Sequence, residues 1–195
     1  MGWEDSAIAV PIAERAALAA IAVDREDPWA HLALGGVHLF ERRFDDSLAS
    51  FETALRLNPS FSLAHSYYGV TLSYCGRWQE GVLAAQRAIR LSPSEPYSAS
   101  YYGCAAYAQF VGRNYEEAMR LARQGIQRAN FVGAHRVLTA AAGMAGCSDI
   151  AQAALRELRC IQPNVSLAWI AKEIPTKLDS EREHYVEGFR RAGLD

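Results

Sequence analysis

Ala64-His65-Ser66-Tyr67-Tyr68-Gly69-Val70-Thr71-Leu72, with Gly76-Arg77-Trp78 after it and then Gly81, Ala85, Ala88 and Leu91-Ser92-Pro93, decides the fold. The first run reads as a helix in which Gly69, lacking a side chain, lets a neighbouring backbone come close. Gly76 ends it, because glycine tolerates the left-handed conformation a helix end needs. Trp78 opens a second helix, where Gly81, Ala85 and Ala88 make a stripe of small residues at helical spacing. Pro93 closes that helix, since proline disfavours helix at the residue before it.

The pattern recurs on both sides with a period of 34: Gly35, Gly69 and Gly103; Ala20, Ala54 and Ala88; Pro59 and Pro93; Leu57 and Leu91; His31 and His65; Phe44 and Trp78; Tyr67 with Tyr101 and Tyr68 with Tyr102. A helix–turn–helix unit of this length resembles the tetratricopeptide repeat. The resemblance covers nearly the whole chain. Its slots for a small residue, a large apolar residue, a small residue and a proline hold Ser47, Phe51, Ala54 and Pro59 in the first unit.

The repeats are expected over 28–61, 62–95, 96–131 and 132–165, preceded by a half repeat over 9–25 with Ala13, Ala17 and Ala20. Arg25 stands in the proline slot there. The chain thus starts in mid-unit, which suggests part of a longer regulatory protein. Pro93 and Pro163 lie 70 residues apart instead of 68, so two extra residues are placed near Gln109–Asn114, lengthening the third unit's first helix or its turn. Thr139 stands where the family prefers glycine. Residues 166–195 read as capping helices: a short one around Leu167–Lys172, a break at Pro175, and an amphipathic one over 180–192 carrying Tyr185 and Phe189. The expected fold class is all-α, a right-handed superhelical stack of antiparallel helix pairs, because each pair buries its apolar stripe only against the next. The ending Glu187-Gly188-Phe189-Arg190-Arg191-Ala192-Gly193-Leu194, and the region of Trp3, resemble the C-terminal repeat arrays of bacterial cyclase-like and winged-helix signalling regulators.

Composition agrees with a globular chain. The 195 residues are 50% hydrophobic and 22% charged, enough to build a core. A net charge of −2 argues against a nucleic-acid or anionic-membrane partner. No apolar run approaches the ~20 residues that cross a bilayer. The run Ala16–Val23 follows Glu4, Asp5 and Glu14, where an export signal carries positive charge, and bulky, acidic Trp3-Glu4-Asp5 sits inside the Met1-Gly2…Ser6 acylation pattern. Cys75, Cys104, Cys147 and Cys160 are isolated, which fits a reducing, cytoplasmic setting.

No phosphate loop, dinucleotide fingerprint, metalloprotease motif or serine-nucleophile elbow is present. His31, His65 and His135 occupy equivalent slots on helices ~8–10 Å apart, too far for a shared ion with ~2 Å bonds. His31 and His38 are two turns apart on one helix. Acidic pairs Asp45-Asp46 and Glu116-Glu117 open second helices, where negative charge suits the dipole. Nine arginines against five acids between Arg87 and Arg159 read as a solvated outer face. The expectation is no catalytic, cofactor or metal site.

The resemblance places the first helix of each unit on a concave groove. Its inward slots hold Trp29, Leu32, Gly36, Leu39 and Phe40; Leu63, Ser66, Val70, Ser73 and Tyr74; Tyr97, Ser100, Cys104, Tyr107 and Ala108; and, in the fourth unit, Arg136, Ala140 and Met144. Some family members grip a carboxylate with Lys, Asn and Arg here. This chain has Leu32, Gly36, Tyr67, Tyr97 and Tyr101 instead, so that clamp is absent. Aromatic, weakly charged slots suit an apolar helix or extended peptide. The candidate partner-binding residues are Trp29, Leu32, Phe40, Ser66, Val70, Tyr74, Tyr97, Tyr101 and Tyr107, with groove and inter-repeat packing both open for Tyr67 and Tyr101. The expected function is a non-catalytic module for a protein or peptide partner, regulatory or scaffolding in bacterial signalling. The alternative is an oligomerisation module, with a homodimer through the exposed end repeat. A metal-dependent sensor or enzyme ranks below both.

Overall fold

The computed structural model describes residues 6–195, and within them all regular structure is α-helical. Trp3, and Met1-Gly2 of the acylation pattern, lie outside the described residues. Helix α1 (Ser6–Val23) is followed by four antiparallel pairs: α2 (Pro28–Phe40) with α3 (Phe44–Leu57), α4 (Ser62–Tyr74) with α5 (Trp78–Leu91), α6 (Ser98–Val111) with α7 (Tyr115–Arg128), and α8 (Val132–Met144) with α9 (Ser148–Ile161). First helices pack on first helices, α2 on α4, α4 on α6 and α6 on α8, which gathers them on the inner side of the stack.

Local chemistry sets the bounds. Pro28 opens α2 under Asp27, whose carboxylate accepts from the Trp29 N–H at 2.9 Å. Small residues let the pairs close. A methyl on Gly69 would stand 2.8 Å from the Gly81 carbonyl oxygen and 3.1 Å from the Ala85 nitrogen. On Gly35 it would strike the Phe51 ring at 2.6 Å. Ser47 Oγ donates to the Gly35 carbonyl at 2.8 Å, so the buried hydroxyl is satisfied.

The turns within the pairs correct the expected position of the extra residues. Each holds one residue at positive φ: Arg42 (61°), Gly76 (81°), Arg113 (64°) and Gly146 (73°). Successive turns are therefore 34, 37 and 33 residues apart. The additional length enters before the third turn, in the connection 92–97 and in an α6 of 14 residues, and one residue is returned after α7. It does not enter the turn at 112–114. Counted back from the turns, the residue matching Gly35 and Gly69 is Ala106, and Tyr101 matches Ala30, Ala64 and Ala134. All four of these last positions are 4% exposed or less.

Beyond α9 the chain reverses. Helix α10 (Leu167–Glu173) is capped by Ser166, whose Oγ accepts from the Trp169 N–H at 3.2 Å. Residues 174–178 are non-helical, and α11 (Asp179–Arg191) packs on α8. The backbones touch there: a methyl on Gly143 would lie 2.0 Å from the Gly188 carbonyl oxygen.

Replacing Gly69 by Ala tests the close approach. Overpacking against backbone costs about 1–3 kcal/mol, more than the roughly 1 kcal/mol that alanine gains in helix propensity. The melting temperature is expected to fall, at about 2–4 °C per kcal/mol for a chain of this size. A raised melting temperature would show that the helices have room.

Candidate partner-binding groove

The inner face is built from the C-terminal half of α4, the middle and end of α6 and the N-terminal half of α8. Val70 and Tyr74 from α4, Cys104 and Tyr107 from α6, and Arg136 and Val137 from α8 form a floor. Ile174, Pro175 and Tyr185 lie over it and leave a cavity of about 120 Å³. The rings interlock: Tyr74 and Tyr107 have centroids 4.8 Å apart, and Tyr185 meets Tyr107 edge-on at 5.6 Å. The Tyr107 hydroxyl is buried without a hydrogen-bond partner. Arg136, also buried, donates from Nε and Nη2 to the Gln162 side-chain carbonyl at 2.9 and 2.7 Å, with its guanidinium 4.8 Å over the Trp169 ring.

Among the described residues, Arg136 is the one charged side chain in the cavity lining. Burial pushes the Tyr67 hydroxyl up to about 12 and the Cys104 thiol up to about 11, and moves Tyr74, Tyr107 and Tyr185 upward as well. These groups stay neutral at physiological pH and supply no activated nucleophile. Among the described residues no three His, Cys, Asp or Glu side chains gather into a cation site. The repeat histidines bind back to the preceding connection, His31 to the Arg25 carbonyl at 2.9 Å, His65 to the Pro59 carbonyl at 3.0 Å, and His135 to Asn130 at 2.6 Å.

The sequence-predicted residues separate into three groups. Val70, Tyr74 and Tyr107 meet on the groove floor, with Phe40 beside them. Trp29 and Tyr97, each 56% exposed, stand at the opposite rim, at the N-terminal ends of α2 and α6. Leu32 belongs to a core with Phe51, Phe61 and Ala64; Ser66 and Tyr101 are buried, and none of the three lines the groove. Tyr101 fills a slot that holds alanine in the other units, so it packs between helices. Tyr67 reaches the cavity.

What the sequence reading missed is that the chain's own C-terminal segment lies on this face. The Lys177 N–H donates to the Tyr74 carbonyl at 2.9 Å and Thr176 Oγ1 to the same oxygen at 3.2 Å. Arg42 donates to the Lys172 carbonyl. Arg113 makes a two-pronged pair with Glu181 at 2.6 and 2.9 Å. His184 stacks on Tyr115 and takes part in a 3.1 Å hydrogen bond with its hydroxyl. Pro175 between two short helical patterns was the available signal for an extended crossing.

No family model and no curated protein matches the chain in sequence. Solved structures match it in fold. PilW, a type IV pilus biogenesis factor, superposes over 97% of this chain and 89% of its own with a TM-score of 0.70 at 16% identity. TTC0263, a thermophilic tetratricopeptide-repeat protein of Thermus thermophilus, covers 85% and 89% at 0.65 and 16%. YrrB, described as a tetratricopeptide-repeat protein with an unusual peptide-binding site, covers 91% and 90% at 0.58 and 16%. The architecture is that of the tetratricopeptide superhelix of antiparallel helix pairs. These likenesses do not bear on the resemblance of the tail to cyclase-like or winged-helix regulators.

Burial lowers His65, His135 and His184, and the Arg113 guanidinium lowers His184 further. Each stays neutral in the folded chain at pH values where the unfolded chain already takes a proton. Stability contributed by these groups is therefore complete above about pH 6.5 and lost as pH falls below it. Thermal melts at pH 7.5, 6.5 and 5.5 are expected to show the drop between the last two. Equal melting temperatures at 6.5 and 5.5 would mean that the histidines titrate freely.

Proposed function

We propose that this chain is a non-catalytic interaction module that takes up a peptide or a partner helix along its concave face. The observation that carries the reading is the docked segment 174–178. Its main chain is read by a backbone carbonyl of the groove, and its apolar side chains sit among the groove's aromatics. A face that holds one extended segment has the donors, acceptors and apolar surface to hold another. The peptide-binding site of YrrB, a structure of the same fold, supports this reading by analogy. The open rim offers Trp29 and Tyr97 as anchors. Aromatic anchors of this kind dominate interface energies.

The role proposed for the module is regulatory or scaffolding, and the tyrosines that dominate the groove suit a peptide partner. Convex arginines such as Arg77 and Arg120 are already paired with Glu80 and Glu117, which favours a protein partner over nucleic acid. No helix among the described residues is long and apolar enough to cross a membrane. A second reading, self-association, is supported by α1, where Ile12 and Leu18 are 55% and 50% exposed. Light scattering on dilution, with the Ile12→Glu, Leu18→Glu variant alongside, tests it.

Peptides selected from a random display library against the full chain test the main reading. The double variant Trp29→Ala, Tyr97→Ala is expected to lose at least ~30-fold in affinity for them. The outer-face variant Arg120→Glu, Arg123→Glu is expected to bind unchanged, and added salt to weaken binding little. The opposite ranking of the two variants puts the binding surface on the convex side.

A further inference from the structure

The C-terminal crossing is anchored more firmly than a passive connection requires. Of the four turns within helix pairs, the two that carry a side chain at positive φ are Arg42 and Arg113. Both use that side chain on the tail, Arg42 on the Lys172 carbonyl and Arg113 on the Glu181 carboxylate. A non-glycine residue in this conformation costs of order 1–2 kcal/mol, so it persists where the surroundings compensate. Between these two anchors Thr176 and Lys177 are held on the Tyr74 carbonyl, and Ile174 and Thr176 are buried. Lys177 Nζ meets Asp45 Oδ1 at 3.2 Å across an exposed pair, which sets register more than it adds energy. Ile174 and Pro175 leave the cavity beneath them unfilled, and the Tyr107 hydroxyl below stays unpartnered. A void and an orphan hydroxyl mark an imperfect occupant of the groove.

Resting on the reading of the concave face as the docking surface, we infer that segment 174–178, Ile-Pro-Thr-Lys-Leu, is a built-in competitor that holds the groove closed until an extended partner segment of the same chemistry displaces it. That chemistry is set by what the groove offers in order. The aromatic cavity takes an aliphatic residue followed by proline. The Tyr74 carbonyl takes a main-chain N–H. Asp45 takes a basic side chain, and the surface of Gly76, where Leu178 lies, takes a second aliphatic residue. The partner is therefore an extended aliphatic–Pro–x–basic–aliphatic segment of another protein. Because the tethered segment competes at high effective concentration, the closed chain binds such a partner with an affinity reduced by the fraction of time the groove is open.

The test uses the full-length chain and a fluorescent synthetic peptide of residues 172–180, with a scrambled peptide as control. Two variants loosen the tail in different ways: Ile174→Ser with Lys177→Glu alters the competitor, and Arg42→Gln with Arg113→Gln alters the anchors. Each is used once circular dichroism and melting show that it folds, so either one suffices. The peptide is expected to bind the loosened variant at least tenfold more tightly than the parent, and the scrambled peptide to bind neither. Equal affinity for parent and variant overturns the inference, as does failure of the peptide to bind a variant whose residue 177 amide has lost its hydrogen-exchange protection. Library-selected peptides that still depend on Trp29 and Tyr97 would then leave the docking surface standing while the competitor falls. Loss of that dependence instead removes the docking surface itself.

Discussion

The close approach of the two helices in each pair is the constraint on which the rest depends. Counted from the turns, the facing positions are Gly35 with Phe51, Gly69 with Ala85, Ala106 with Ala122 and Thr139 with Leu155; both glycines are buried, and the other six leave no more than 4% of their surface exposed. A large ring is answered by a missing side chain, and two small residues allow backbone to meet backbone. Only when this contact is made does each pair present a continuous apolar edge to the next, and only then do the first helices line up as one inner face. The groove is a consequence of pair packing.

The same contact explains what was legible. A stripe of small residues at helical spacing, a glycine at a helix end and a closing proline are local signals, and the all-α stack of helix pairs follows from them. The third unit shows where local matching misleads. Tyr101, Tyr102 and Gly103 match Tyr67, Tyr68 and Gly69 by spacing, yet they sit three residues early relative to the turn at Arg113. A slip of three is nearly one helical turn of 3.6 residues, so the stripe survives and the pattern looks unbroken. The cost falls on the site: Tyr101 lands in an alanine slot and is sealed in the core, while Tyr107 moves to the inward position that Val70 and Ala140 hold in their units.

The groove itself was legible in part because inward positions follow from the same count. Val70, Tyr74 and Tyr107 come together because all three lie in the last two turns of their helices. The tail was not legible. Its contacts join Lys177 to Tyr74, Thr176 to Tyr74 and Arg42 to Lys172, pairs separated by more than 100 residues. No periodicity encodes them. What the sequence did contain was an oddity, arginine rather than glycine in two of four turns, whose meaning appears only when the tail is in place.

That oddity reflects a division of labour among the turns. Gly76 and Gly146 take the left-handed conformation at no steric cost. Gly76 has a second reason to lack a side chain: a methyl there would stand 2.8 Å from Leu178, on the path of the tail. Arg42 and Arg113 accept the conformational cost and reach outward to hold the tail on either side of that path. Strain at two turns and bareness at a third thus serve one segment. All four turns take positive φ whatever residue they hold, so the strain at Arg42 and Arg113 belongs to the turn and is the same with the tail docked or released. What separates the two states is therefore the tail's own contacts with the groove and the two arginines, and a segment that makes the same groove contacts is what shifts one state into the other.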